Sequence, residues 1–245
     1  MKYYNILCIL FIFSSCDVST LSNADTLSLA DLKVNINICH DTKKNTLSYL
    51  KVKLSDGKKQ IINKNIRILL NSKPLDLYVK EELYYTKTSY YKADSFTQSD
   101  AYYFELILPD NSRHPLAFVK PMEKSQVAKF SIPDSIAAND DFVLKWENLN
   151  TPHQLELIKG TKTKHNLVKS IIEYDYAVKP LDTLRKNTGQ YVVSKSHFTD
   201  SLSIAKHFDI ILSRKESGLI NPSLLINSTI TYHYMIQKTI NSKEN

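Results

Sequence analysis

From Asp31 onward apolar and polar residues alternate: Leu32, Val34, Ile36 and Ile38 are separated by Lys33, Asn35 and Asn37. A two-residue period turns one side of an extended chain toward a core and the other toward water, which predicts a half-buried strand. The pattern returns at Leu50, Val52 and Leu54 between Lys51 and Lys53, and again at Ile66, Ile68 and Leu70. Ser55-Asp56-Gly57-Lys58 and Asn71-Ser72-Lys73-Pro74 follow these runs and supply turn conformations, so two hairpins are predicted. Leu75, Leu77 and Val79, the Tyr-rich stretch 83–91, residues 101–108 and Leu116-Ala117-Phe118-Val119 complete about seven strands. Helical periodicity never lasts more than two turns. At most, residues 200–206 and 222–226 form single helical turns.

A second set of strands begins after Lys120-Pro121-Met122-Glu123-Lys124-Ser125. Phe142, Leu144 and Trp146 alternate with Val143, Lys145 and Glu147; Leu155 and Leu157, residues 171–176, 189–193 and 208–212, and Ile230, Tyr232, Tyr234 and Ile236 follow. Many short strands with a turn signal every 8–12 residues point to sandwiches. The expectation is an all-β chain with two consecutive antiparallel β-sandwich domains, 31–120 and 126–240. In size and strand spacing these resemble immunoglobulin-like and fibronectin-like domains, where an aromatic on an early strand, here Trp146, belongs to the core.

The first fifteen residues break this pattern. A lysine at position 2 precedes the apolar run Ile6-Leu7-Cys8-Ile9-Leu10-Phe11-Ile12-Phe13 and the small pair Ser14-Ser15. Such a segment reads as a secretory signal peptide, because its apolar core is too short to span about 30 Å of hydrocarbon. Phe13-Ser14-Ser15-Cys16 resembles the lipobox of bacterial lipoproteins. That resemblance implies a diacylglyceryl group on Cys16, cleavage ahead of it, and an exported protein anchored to the cell envelope; of the two membranes the outer is favoured over the inner, with the leaflet left open. Residues 16–30, polar and small, read as a lipidated flexible tether.

Composition narrows the function classes. Only four glycines occur, at 57, 160, 189 and 218, so no G-x-G-x-x-G, Walker A or G-x-S-x-G motif can be written. Their positions suggest use at turns and strand boundaries. Of the three cysteines, Cys8 leaves with the signal peptide and Cys16 carries lipid, so Cys39 remains as a lone thiol and no internal disulfide can form. The net charge of +7 comes largely from lysines that alternate with apolar positions on strands. They give a modest attraction to anionic lipid or polysaccharide. Nothing in the sequence signals nucleic-acid binding.

Candidate chemistry is sparse. Cys39-His40-Asp41 invites a nucleophile and base, yet consecutive side chains on a strand point to opposite faces. The seven histidines are scattered and no spacing suits a metal, so neither metal nor cofactor is expected. Tyrosine is the unusual feature: Tyr84, Tyr85, Tyr90, Tyr91, Tyr102 and Tyr103 come as three doublets within twenty residues. On strands each doublet sends one ring inward and one outward. The outward rings are candidates for a surface that stacks on sugars or grips a protein. The sequence is therefore read as a non-catalytic binding or structural module for an envelope protein or a glycan. The competing class is a glycan-active hydrolase, which needs two carboxylates facing one cleft.

Overall fold

A computed structural model describes residues 21–22, 27–41, 48–81, 87–93, 99–121, 129–137, 140–149, 152–162, 174–197, 199–200, 203–204 and 207–243. Cys16, Tyr84 and Tyr85 lie outside these residues. The strands of the first half are β1 (Leu21–Ser22), β2 (Lys33–Asp41), β3 (Tyr49–Ser55), β4 (Gln60–Ile61), β5 (Arg67–Leu70), β6 (Lys73–Pro74), β7 (Asp76–Glu81), β8 (Lys87–Lys92), β9 (Tyr102–Ile107) and β10 (Arg113–Val119). The second half adds β11 (Lys129–Ser131), β12 (Ser135–Ala137), β13 (Phe142–Glu147), β14 (His153–Lys162), β15 (Tyr174–Leu184), β16 (Gly189–Val193), β17 (Thr199–Asp200), β18 (Ser203–Ile204), β19 (His207–Ser217), β20 (Leu219–Ile220) and β21 (Thr229–Lys243). Among the described residues the only helical turns are 3-10 turns at Leu29–Asp31 and Lys195–His197. The protein is all-β.

One large sheet follows the order β1-β4-β3-β2-β21-β19-β14-β15, with β8 beside β3, β7 beside β8, and β12 beside β21. Two smaller sheets, β20-β10-β9-β5-β6 and β11-β13-β16, cover one face of it. Tyr102 of β9 stacks on Tyr232 of β21 with ring centroids 5.9 Å apart, and Phe142 of β13 meets Phe208 of β19 at 5.8 Å. Phe208 is the register partner of Ile240, and Tyr232 and Ile240 share a face of β21 because the step from one to the other along the strand is even. Both small sheets thus pack on the same side. Leu32, Val34, Ile36, Ile38, Val52 and Leu54 bury beneath the first; Leu155, Leu157, Ile210, Leu212 and Ile240 bury beneath the second, against Leu144, Trp146 and Val193. The buried apolar residues of the two halves are continuous.

The expected boundary at 120–126 is crossed by this sheet. β2, the first long strand, pairs with the last strand, β21, over Asn35–Asp41 and Thr229–Met235, and β20 from the second half joins β10. The β2–β21 pairing is parallel, as are β1–β4 and β12–β21, so the sheets are not purely antiparallel. Strands joined by a hairpin must run antiparallel; strands brought together from distant parts of the chain carry no such constraint.

With glycine scarce, asparagine makes the left-handed turns. Asn71 (φ 46°) and Ser72 (φ 67°) both have positive φ between β5 and β6, and Asn111, Asn148 and Asn227 take φ of 64°, 58° and 68°. Gly57 (φ 87°) is the one described glycine with positive φ. Gly189 and Gly218 serve close packing instead: a Cβ at Gly189 would lie 2.6 Å from Trp146 Cζ2, and one at Gly218 would overlap the Phe118 carbonyl oxygen. The segments expected to hold helical turns differ too. Thr199–Asp200 and Ser203–Ile204 form a small hairpin, and 222–227 is a pair of tight turns.

Candidate functional site

The face of the large sheet that points away from the two small sheets carries an aromatic and cationic cluster on β3, β8 and β7. Alternation buries Leu50, Val52 and Leu54, so Tyr49, Lys51 and Lys53 point outward; β8 buries Ser89 and Tyr91 and turns Tyr90 and Lys92 outward. β7 adds Tyr78, the register partner of Tyr90, and the two rings lie 5.1 Å apart. Lys51 Nζ stands 5.3 Å from the Tyr49 ring centre and 5.2 Å from that of Tyr90; Lys92 Nζ stands 4.8 Å from that of Tyr78. Tyr49 is 44% exposed and Tyr78 39%.

Register decides the electrostatics of this face. Lys51 and Lys92 are direct cross-strand partners, and like charges so placed oppose folding. Ring faces recover about 0.5–1 kcal/mol per ammonium at exposed sites. Asp76, the partner of Lys92 on β7, is the acid in this arrangement. An anionic ligand with flat apolar faces answers both features, since its charge relieves the lysine pair and its faces stack on the rings.

Each described tyrosine doublet divides as alternation predicts. Tyr91 and Tyr102 are buried, whereas Tyr90 is half-buried on the outer face and Tyr103 is 58% exposed. Tyr91 donates its hydroxyl to the Ile66 carbonyl at 3.2 Å, and burial pushes its ionisation far above the ordinary range. Tyr90 and Tyr103 do not share a surface. Tyr90 lies on the outside of the large sheet, and Tyr103 lies on the outside of β9 in the facing sheet. There Tyr103 packs on Phe118 (centroids 4.7 Å apart) and, with Pro115, Ala117 and the 72% exposed Leu219, borders an apolar hollow of about 350 Å³.

A polar hollow of about 470 Å³ opens on the outer face of the large sheet where β14, β19 and β21 meet, lined by Gln154, Glu156, Ser213, Lys215 and His233 among others. Tyr49, Cys39, His233 and Lys215 occupy one register row across β3, β2, β21 and β19, which places this hollow on the same face as the tyrosines. Burial, then the Lys215 ammonium, holds the His233 imidazole below its ordinary pKa. Cys39 is buried, and desolvation with the nearby Asp41 carboxylate pushes its thiol up to about 11. His40 points to the opposite face, under the small sheets. No group of three or more His, Cys, Asp or Glu side chains converges as a metal ligand set among the described residues.

The sequence reading missed Tyr49, Tyr78, Lys51 and Lys92 as members of one cluster. The outward phase of each strand was legible, but the adjacency of β3, β8 and β7 was not. No helix of the described residues is long and apolar enough to cross a membrane. The chain matches no protein-family model, and a search of curated proteins finds no relative.

Proposed function

We propose that this is an envelope lipoprotein, exported and anchored through Cys16 at the outer membrane, that acts without catalysis as a recognition module for an acidic polysaccharide. Each small sheet, with the stretch of large sheet beneath it, is read as one sandwich of immunoglobulin-like size. The units built from 31–120 and 126–240 then stand in series through β19 and β21.

The observation that carries the ligand class is the directly opposed Lys51–Lys92 pair set among Tyr49, Tyr78 and Tyr90. A polymer of sugar acids offers repeated carboxylates beside flat pyranose faces, so several weak contacts add along the chain. Hydrolysis finds less support: the polar hollow is lined by one carboxylate, Glu156, where glycoside cleavage takes two.

Affinity electrophoresis through gels containing polygalacturonate or neutral dextran tests this reading. The protein should be retarded by polygalacturonate alone, and Tyr78→Ala and Lys92→Ala should each abolish most of the retardation. Equal mobility in both gels, or retardation unchanged in both variants, overturns it. Cys16→Ala tests the anchor separately, since it should release the protein from membranes.

A further inference from the structure

We infer that the end of the first sandwich nearest its N-terminus is itself a membrane-contacting tip, which touches an anionic phospholipid surface through Ile226 and the lysines of the Asp56–Lys59 turn. The inference rests on the lipid-anchor reading for its orientation and adds a contact made by protein side chains.

Three features meet at this end. Ile226 is 85% exposed in the turn that precedes β21, the most exposed large apolar side chain among the described residues. Its neighbour Leu225 donates its backbone N–H to the Leu32 carbonyl at 2.9 Å and packs on the hairpin turn, 3.5 Å from where a Cβ would stand on Gly57. The turn that carries Ile226 is therefore fixed, through Leu225, against the Asp56–Lys59 turn. The acid of the latter is held within its own turn. The Asp56 carboxylate accepts the backbone N–H groups of Lys59 at 2.7 Å and Lys58 at 2.9 Å, which lowers its pKa and directs its charge into the turn, and the Lys59 ammonium adds to the lowering. An apolar tip rimmed by lysines is the arrangement that suits a lipid headgroup boundary.

The chain path supplies the occupant. Leu21 and Ser22 pair with Gln60 and Ile61, directly after that same turn, and Gln60 is the partner of Ser55. Cys16 precedes Leu21 by five residues, which at full extension reach about 18 Å. An acyl group on Cys16 holds this end close to the bilayer, where Ile226 and the lysines meet the headgroups at high effective concentration. A weak contact suffices under those conditions. It would stand the large sheet on the membrane with its Tyr–Lys face turned sideways to the surrounding medium.

The experiment uses the unacylated chain from Asp17 onward, which retains every described residue. Its sedimentation with vesicles of phosphatidylcholine alone, or with one third phosphatidylglycerol, is compared for the parent and for Ile226→Asp, Lys58→Glu and Lys145→Glu. Circular dichroism confirms that each variant is folded. The parent should bind the anionic vesicles measurably and the neutral ones several-fold less. Ile226→Asp and Lys58→Glu should each lower binding by about tenfold, and Lys145→Glu, exposed on β13, should leave it unchanged. No binding to anionic vesicles, equal binding to neutral ones, or equal loss in Lys145→Glu overturns the inference. Because the protein carries no lipid, these outcomes are independent of whether Cys16 is acylated.

Discussion

Replacing Gly189 with alanine probes the packing between β16 and β13. Gly189 and Trp146 are register partners across β16 and β13, and the indole is what a side chain at the glycine would meet. An added Cβ would sit 2.6 Å from Cζ2, 3.1 Å from Cε2 and 3.2 Å from Cη2. Ordinary contact begins near 3.4 Å, so the ring must retreat by most of an ångström. It has little freedom to do so: Trp146 is buried among Leu144, Phe142 and their neighbours, and its Nε1 donates to the Lys186 carbonyl at 2.9 Å. Overpacking of this kind costs about 1–3 kcal/mol, while replacing glycine stiffens the unfolded chain and returns about 0.4–1 kcal/mol. The net expectation is a loss of about 1–2 kcal/mol. Trp146→Phe removes the atoms that clash, at the cost of the Nε1 hydrogen bond and some packing, so in that background Gly189→Ala should cost nothing or stabilise slightly. Urea unfolding followed by far-ultraviolet circular dichroism on the four corners of this cycle measures the coupling, expected at about 1 kcal/mol or more. An equal cost of Gly189→Ala in both backgrounds would refute the packing argument.

Trp146 is the only tryptophan, so its emission reports the surroundings of β13 alone. Because β21 and a continuous core join the halves, its urea transition should coincide with that seen by circular dichroism; separated transitions would show that the halves unfold independently. The Cys39 thiol should resist alkylation at pH 8 until denaturant is added, since burial raises it from its ordinary 9 to about 11. The same shift disfavours the thiolate in the folded state, so stability should be full below about pH 9 and fall as pH rises toward 11. Cys39→Ser, titrated in parallel, should flatten that fall. His233 carries the opposite sign: its pKa is lowered by burial and Lys215, so its contribution is present above the ordinary 6.5 and lost as pH falls through the folded value. His233→Gln should reduce the decline in unfolding midpoint between pH 7 and pH 5, and an unchanged decline would exclude this group as its cause.

Alternation carried the reading of the strands because it depends on one physical fact, a core on one side. Val34, Ile36 and Ile38, or Phe142, Leu144 and Trp146, can be placed inward without knowing any neighbour. Alternation says nothing about which strand lies alongside. The first and last long strands, β2 and β21, are separated by most of the chain, and no local signal records that they pair in parallel. Glycine was legible only in its place at turns and strand ends, for a related reason. A turn announces itself through its own residues, whereas the need for bare backbone at Gly189 comes from Trp146 across the sheet and at Gly218 from Phe118, Val119 and Ile230.

The same limit governs the site. Each described tyrosine doublet splits as its strand demands, yet β8 and β9 belong to facing sheets, so Tyr90 and Tyr103 leave the molecule on opposite sides. A cluster of outward rings along the sequence therefore could not become one surface. The surface that does form draws Tyr49 from β3 and Tyr78 from β7, strands connected only through β8. Its charge is a property of register: slipping β8 by one residue would send Lys92 inward, and slipping it by two would remove the Lys51–Lys92 opposition. A like-charged pair that depends on so exact an alignment is offset in part by the ring faces and by Asp76, and its remaining repulsion is a cost to folding. A ligand that binds through it recovers that cost, so relieving the repulsion without ligand should both stabilise the fold and weaken binding. Lys92→Gln is the variant that separates these effects. It should raise the unfolding midpoint while lowering retention by polygalacturonate, and a midpoint that falls or stays level would remove the electrostatic basis for an anionic ligand.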